Sequence, residues 1–252
     1  MTRAAAIRLG WVVAFVLFWE GARRLDLVNP IILASPTEVW QAWLAAGDQF
    51  LAAFRVTIAE IAVSIVIAWT LGVATGLVAG SVPVLGMAAG PILSSLFAIP
   101  LVVWYPLFMI WVGLGPESKV LFAVVSGYFP IALNTMYGVR LLDRNYARLG
   151  RSIGASRAQI VLRILVPLAL PAVISGLRVG TALIVIGVIV AEMLASLAGL
   201  GFWVSYHRTL FNTGHVYLGI GLALSCVLAV NWGLTRLERH FGSWRELERR
   251  EG

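Results

Sequence analysis

DRNYARLGRSIGASRAQIVLRILVPLALPAVISGLR, residues 143–178, decides how the chain is read. It is a basic helix, a Gly break, a second short helix and a proline-marked entry into an apolar segment. Gly154-Ala155 reads as a helix stop, and Ser156 as an N-cap with Gln159 three residues on as its capping-box partner. Upstream, Arg144, Arg148 and Arg151 fall at i, i+4 and i+7, one basic stripe on a helix. Downstream, Ile160, Val161, Ile164 and Leu165 make an apolar face that Pro167 is expected to end. Two short helices meeting at a fixed bend can dock on another protein. A basic loop beside apolar spans is also the ordinary topology signal of a membrane protein, so charge alone does not choose.

Composition sets the setting of that loop. The 252 residues are 60% hydrophobic and only 12% charged, with mean hydropathy +0.90, which places the chain among integral membrane proteins. The net charge of +7 comes from arginines between and beside apolar spans, which argues against nucleic-acid binding. Cys226 is the single cysteine, so neither an intrachain disulfide nor a multi-thiolate metal site can form. His207, His215 and His240 lack the spacing of a helical ligand pair, and no metal is expected. Lys119, the single lysine, is followed by Val120, so no Gly-Lys-Ser/Thr phosphate loop exists. This chain therefore carries no nucleotide site of that kind, and no catalytic constellation stands out.

The expected fold is all-α: six transmembrane helices near 7–25, 56–79, 85–112, 120–137, 172–194 and 217–234, in one membrane domain over 1–252. The first run could instead be a signal peptide, but its apolar stretch reaches Ala22 with no clear cleavage site. Ser35 with Glu38 predicts a capped helix at the membrane surface before the second span. Gly72, Gly76 and Gly80 form two overlapping GxxxG patterns for close helix packing, with a partner in this chain or another. Glu60 is expected to reach the outer interface. Pro91, Pro100 and Pro106 predict a kinked third span beside a pathway. Gly199 to His215 is expected to be an outer loop. Arg178 is read as snorkelling beside the docking loop. Glu192, Asn134 and Trp104 are candidate pathway or gate residues, Glu192 being open also to an interfacial or interhelical role.

Charge orients these spans. Arg3, Arg8, six arginines from Arg140 to Arg163 and five from Arg236 to Arg250 make 13 of the 19 basic residues on the side that holds both termini and the 140–170 loop. By the positive-inside rule that side is the cytoplasm.

The loop's spacing carries more than its charge. Gly154, nine residues, Ile164, one residue and Val166-Pro167, continued by Pro171 and Ser175-Gly176-Leu177-Arg178, resembles the EAA motif of bacterial ABC importer permeases. Ser35-Pro36-Thr37-Glu38-Val39, and Ala98-Ile99-Pro100 to Pro106-Leu107-Phe108 with Trp111-Val112-Gly113-Leu114-Gly115, are similar to the nitrate, sulfonate and taurine branch. The Glu-Ala-Ala triplet that names the motif falls on Arg148-Leu149-Gly150, a basic residue replacing the acidic one. The resemblance covers nearly the whole chain and implies a type I ABC importer permease in the bacterial cytoplasmic membrane. It implies that Arg148, Arg151, Gly154, Ala155, Ser156, Gln159, Ile160, Ile164 and Pro167 form a coupling loop that docks on an ATP-binding cassette subunit. It further implies a second permease copy, an external binding protein, and ATP with Mg held by the partner ATPase. The substrate it implies is a small sulfonate, taurine or nitrate, and relatives also carry heterocyclic vitamin precursors. The competing class is an ion-coupled secondary transporter or channel with Glu192 as the coupling carboxylate, which leaves the Gly154–Pro167 spacing unexplained.

Overall fold

Among the described residues every regular element of the computed structural model is a helix. The structure describes residues 3–142 and 144–242, and for residues 3–6, 9, 144, 145, 147, 148, 157, 234 and 237–242 the backbone alone. In chain order the helices are α1 (Arg3–Arg24), α2 (Pro36–Ser81), α3 (Pro83–Ala98), a 3-10 turn (Leu101–Trp104), α4 (Tyr105–Val112) and α5 (Pro116–Arg140). Then follow α6 (Arg144–Ser152), α7 (Arg157–Ile160), a π turn (Val161–Leu165), α8 (Val166–Ala195), α9 (Leu200–Thr209) and α10 (Thr213–Gly242). Among the described residues four helices are long and apolar enough to cross a membrane, or five if the bent pair α3 with the 3-10 turn and α4 is one span.

The chain divides into two compact units, one of residues 1–57 and 192–225, the other of residues 58–191 and 226–252. In the larger unit the GxxxG face of α2 finds its partner in the same chain. A Cβ at Gly72 would lie 2.7 Å from Ile131 Cγ2, one at Gly76 2.5 Å from Thr135 Cβ, and one at Gly80 2.7 Å from Val139 Cβ. Three glycines spaced by four thus receive three α5 side chains spaced by four, the close approach that small residues allow in lipid. The adjoining face of α5, which shares Ile131, meets α8. Gly180 is filled by Ile131, Gly127 by Ile184 and Gly138 by Ala172, while a Cβ at Gly176 would lie 2.8 Å from Asn134 Cβ. α5 is consequently the most enclosed of the four spans, with 61% of its apolar window buried. The core around it joins Ile61 and Ala68 to Ile131, Ala123, Leu177, Ile184 and Val188.

Proline acts differently in two places. Between α3 and α4 the axis bends by 86°, because Ile99 turns extended ahead of Pro100 and the next turn is 3-10. The bent pair is therefore a broken span or a re-entrant loop, and not merely a kinked helix. A residue before proline is pushed out of the helical region, which is the local cause. Pro167 and Pro171, in contrast, stop nothing. Residues Ala158–Ala195 make one continuous span candidate, so the expected helix end at Pro167 is corrected. The π turn just before Pro167 widens the backbone where its ring would otherwise press on the carbonyl four residues back.

Glu60 is also corrected. It is 5% exposed, and its carboxylate pairs with the Lys119 ammonium, itself 4% exposed, joining α2 to the first turn of α5. The sequence reading expects Glu60 at the outer interface, and the structure pairs it inside. Burial is tolerated because each supplies the other's counter-charge.

In the smaller unit, the Ser35 cap forms as read: Ser35 N–H donates to Glu38 Oε2 at 2.7 Å and Glu38 N–H to Ser35 Oγ at 3.1 Å. The helix it opens runs to a kink at Ala46 (φ −137°), beyond which the second, span-length helix begins; both lie within α2. Phe50, Leu200 and Trp203 form this unit's core, with Trp43 and Leu218 packed on it. The expected loop from Gly199 to His215 is largely α9, a helix because Gly199 at φ +103° turns the chain into it.

Candidate functional site

The docking corner is built from two interlocking caps. α6 ends in a Schellman arrangement: Ala155 N–H donates to Gly150 O and Gly154 N–H to Arg151 O, both at 3.0 Å. Gly154 takes φ +77°, a left-handed conformation that glycine adopts at no steric cost. Two residues on, Ser156 N–H donates to Gln159 Oε1 at 2.8 Å and Gln159 N–H to Ser156 Oγ at 3.3 Å, a complete capping box. The corner is thus fixed by backbone geometry on both sides of Ala155.

Packing then locks it. A Cβ at Gly150 would lie 2.8 Å from Ile160 Cγ1 and 3.1 Å from Ile164 Cδ1. The last residue of the Arg148-Leu149-Gly150 triplet is therefore the flat place on α6 that receives the second helix. Ile160 is 6% exposed and holds the corner together from within. What points outward was missed in the sequence: Tyr146 at 44%, Leu149 at 62% and Ile153 at 79% exposure. They fall at i, i+3 and i+7, an apolar stripe that was legible beside the basic one. Arg151 is exposed, whereas the side chain of Arg148 lies outside the described residues, as do Asp143 and residues 243–252.

The three candidate pathway residues fall in different units. Trp104 ends the 3-10 turn, its ring stacked on Phe108 with centroids 6.2 Å apart. Asn134 Nδ2 donates to Pro130 O at 2.8 Å, and the residue stands on the α5–α8 seam. Both belong to the larger unit, and Glu192 to the smaller. There Glu192, 1% exposed, accepts the Thr57 hydroxyl at 2.7 Å and the Gly201 N–H at 2.7 Å. Leu200 N–H donates to Thr57 Oγ1 at 2.8 Å. A buried carboxylate and a buried hydroxyl thereby satisfy the first free amides of α9. Arg178 is part-buried in α8 beside Thr181, Val227 and Asn231.

In the smaller unit His207 and His215, eight residues apart, stack face to face with centroids 4.4 Å apart and an 11° interplanar angle. Burial first, and then the neighbouring His215, hold the His207 imidazole below the usual histidine pKa. Among the described residues no group of three or more metal-ligating side chains converges.

Helices of membrane-spanning length, close glycine seams and a rigid projecting corner define a helical membrane transport protein. Residues 71–243 match the family model described as binding-protein-dependent transport system inner membrane component, and the chain belongs to that family. It is 28% identical over 251 residues to the taurine transport system permease protein TauC of Escherichia coli (strain K12), covering 97% of this chain and 91% of that one. It is 37% identical over 162 residues to the riboflavin transport system permease protein RibX of Chloroflexus aurantiacus, covering 64% of this chain and 60% of that one. Its fold is similar to a chain of the MetNI methionine ABC transporter in an inward-facing conformation. The TM-score is 0.68 at 19% identity, over 77% of this chain and 96% of that one. This chain is accordingly a permease component of a binding-protein-dependent importer, all-helical and of the type I permease fold.

Proposed function

We propose that this permease moves a small sulfonate, taurine or nitrate-class solute, handed over by an external binding protein, and that a partner ATPase drives it through the α6–α7 corner. The observation that carries this reading is the corner itself: Gly154 and the Ser156 capping box fix its angle while Tyr146, Leu149 and Ile153 stand out from it. Exposed apolar residues on a rigid helix make an interaction surface, and Arg151 beside them adds a charge for an acidic rim. ATP and Mg belong to the partner subunit. Two copies of this chain supply the two pathway halves.

Counting α1, α2, the broken α3–α4 segment, α5, α8 and α10 gives six spans, with both termini and the corner on the cytoplasmic side of the inner membrane. In alternating access, ATP and the loaded binding protein shift the equilibrium by binding the same state better than the other. The rigid corner passes the ATPase motion into α5 and α8. Glu192, Asn134 and Trp104 remain the residues to examine for gating.

The test is vesicle uptake with the chain, its ATPase and its binding protein. ATP-dependent taurine or sulfonate uptake that is lost with Leu149→Asp supports the reading. Riboflavin uptake in place of taurine moves the substrate class to heterocycles and leaves the drive intact. Proton-dependent uptake by the chain alone, blocked by Glu192→Gln, sinks the ATP-driven reading.

A further inference from the structure

α9 ends as α6 does, but with a different residue at the turning point. Asn212 N–H donates to His207 O at 3.0 Å and Phe211 N–H to Arg208 O at 3.2 Å, a second complete Schellman arrangement. At the corresponding place α6 uses Gly154, at φ +77°. Here the residue is Phe211, at φ +57°, a conformation that a Cβ resists and that glycine takes freely. The ring gains little packing in return, being 70% exposed. A strained backbone that displays an aromatic ring persists only where its surroundings hold it.

The surroundings do hold it. Asn212 Nδ2 lies 3.4 Å from His207 Nδ1. Thr213 Oγ1 donates to Ile31 O at 3.3 Å, and the Tyr217 hydroxyl to Ile32 O at 3.1 Å. The turn and the segment before α2 thus form one tied surface within the smaller unit, on which Ile31, Ile32, Leu210 and Phe211 are all exposed. Exposed polar residues break up these apolar ones: Arg208, Thr209 and Asn212 flank the pair on the turn, and Asn29 precedes the other pair. Apolar side chains set among exposed polar groups suit a protein partner better than hydrocarbon, where each polar group costs. Arg208 makes no ion pair among the described residues, which leaves a positive charge three residues from the ring.

We infer that Phe211 is an anchor for the external binding protein. Its ring enters an apolar hollow on that protein, and Arg208 meets a carboxylate at the hollow's rim. Complementary charge selects the partner, and the left-handed turn holds the ring out for it before contact, so little ordering is left to the moment of binding. This rests on the importer reading, which puts the turn on the outer side of the membrane.

The test uses the whole complex in lipid nanodiscs. It reads the stimulation of ATP hydrolysis by the complex's binding protein, loaded with whichever of taurine, a sulfonate or nitrate activates the unaltered complex. In Phe211→Gly the relieved backbone offsets glycine's extra freedom in the unfolded chain, so the unfolding temperature is not lowered. The binding-protein concentration for half-maximal stimulation rises at least about tenfold, while saturating binding protein brings the rate back to within about twofold. Arg208→Glu also raises that concentration, most strongly at low salt, where a rim charge acts furthest.

An unchanged half-maximal concentration in Phe211→Gly overturns the inference and assigns the ring to lipid. A lowered unfolding temperature overturns it as well, since the ring would then be packed within this chain or against a second copy. If no loaded binding protein stimulates the unaltered complex, the importer reading falls and the inference with it, so the parent measurement separates the two failures.

Discussion

Thr57 donates its hydroxyl to Glu192 across 135 residues of chain, at 2.7 Å, and the hydroxyl and carboxylate together hold the amino end of α9. Both side chains are at most 1% exposed. Each group is therefore committed: the hydroxyl gives its proton to the carboxylate and takes the Leu200 N–H, while the carboxylate takes the Gly201 N–H. Glu192→Ala strands two buried donors and should cost about 1–3 kcal/mol for each. Glu192→Gln keeps the shape and one acceptor, and is expected to cost less. Gly199→Ala should match the Ala variant at 192, because its Cβ would strike the Glu192 carboxylate and its φ is +103°. Thermal unfolding in detergent ranks the three, and a Gly199→Ala protein as stable as the parent would show that the loop is not held as described.

The Glu60–Lys119 pair is a second commitment. Lys119→Met leaves a carboxylate buried without its counter-charge, a loss of about 3–5 kcal/mol. The double variant Glu60→Leu with Lys119→Met removes both charges and should recover most of that loss, since a buried pair replaced by apolar groups is often neutral. A double-mutant cycle by thermal unfolding reads the coupling directly. Equal losses in the single and double variants would mean that the pair is not the reason for either residue's burial.

The glycine seam gives a graded test. Gly76→Ala places a methyl against Thr135 and the Ala132 carbonyl and should cost about 1–3 kcal/mol by overpacking. Gly221→Ala, in α10 with no atom within 4 Å of its would-be Cβ, should be neutral or slightly stabilising by helix propensity. If the two variants unfold at the same temperature, the α2–α5 contact is looser than the structure has it.

What was legible in the sequence was local. Ser35 with Glu38, Ser156 with Gln159 and the left-handed Gly154 are each set by residues within a few positions, and all three form as read. The three GxxxG glycines announced a close contact but not its partner, because the filling side chains on α5 carry no sign of that role. Glu60 was misplaced for the same reason, its partner Lys119 lying far along the chain. The continuous helix through Pro167 was hidden by the local proline rule, which does not include a neighbouring π turn. The exposed stripe of Tyr146, Leu149 and Ile153 was legible and was overlooked beside the arginines.

Acidification should weaken the turn between α9 and α10. His207 is 8% exposed, with the Trp203 ring 4.3 Å and the His215 ring 4.4 Å away. Its imidazole is held below the usual value by burial and by the neighbouring His215. The folded form thus binds a proton less readily than the unfolded chain. Stability from this group is complete above the unfolded value of about 6.5 and is lost as the pH falls through the lower folded one. Glu38, whose backbone lies against Gly214, already holds the Ser35 N–H and Arg23. Thermal unfolding midpoints should fall between about pH 7.5 and about pH 5, and His207→Gln should flatten part of that slope. An unchanged slope in the variant would assign the acid sensitivity elsewhere and leave the stacked pair a packing feature of the turn.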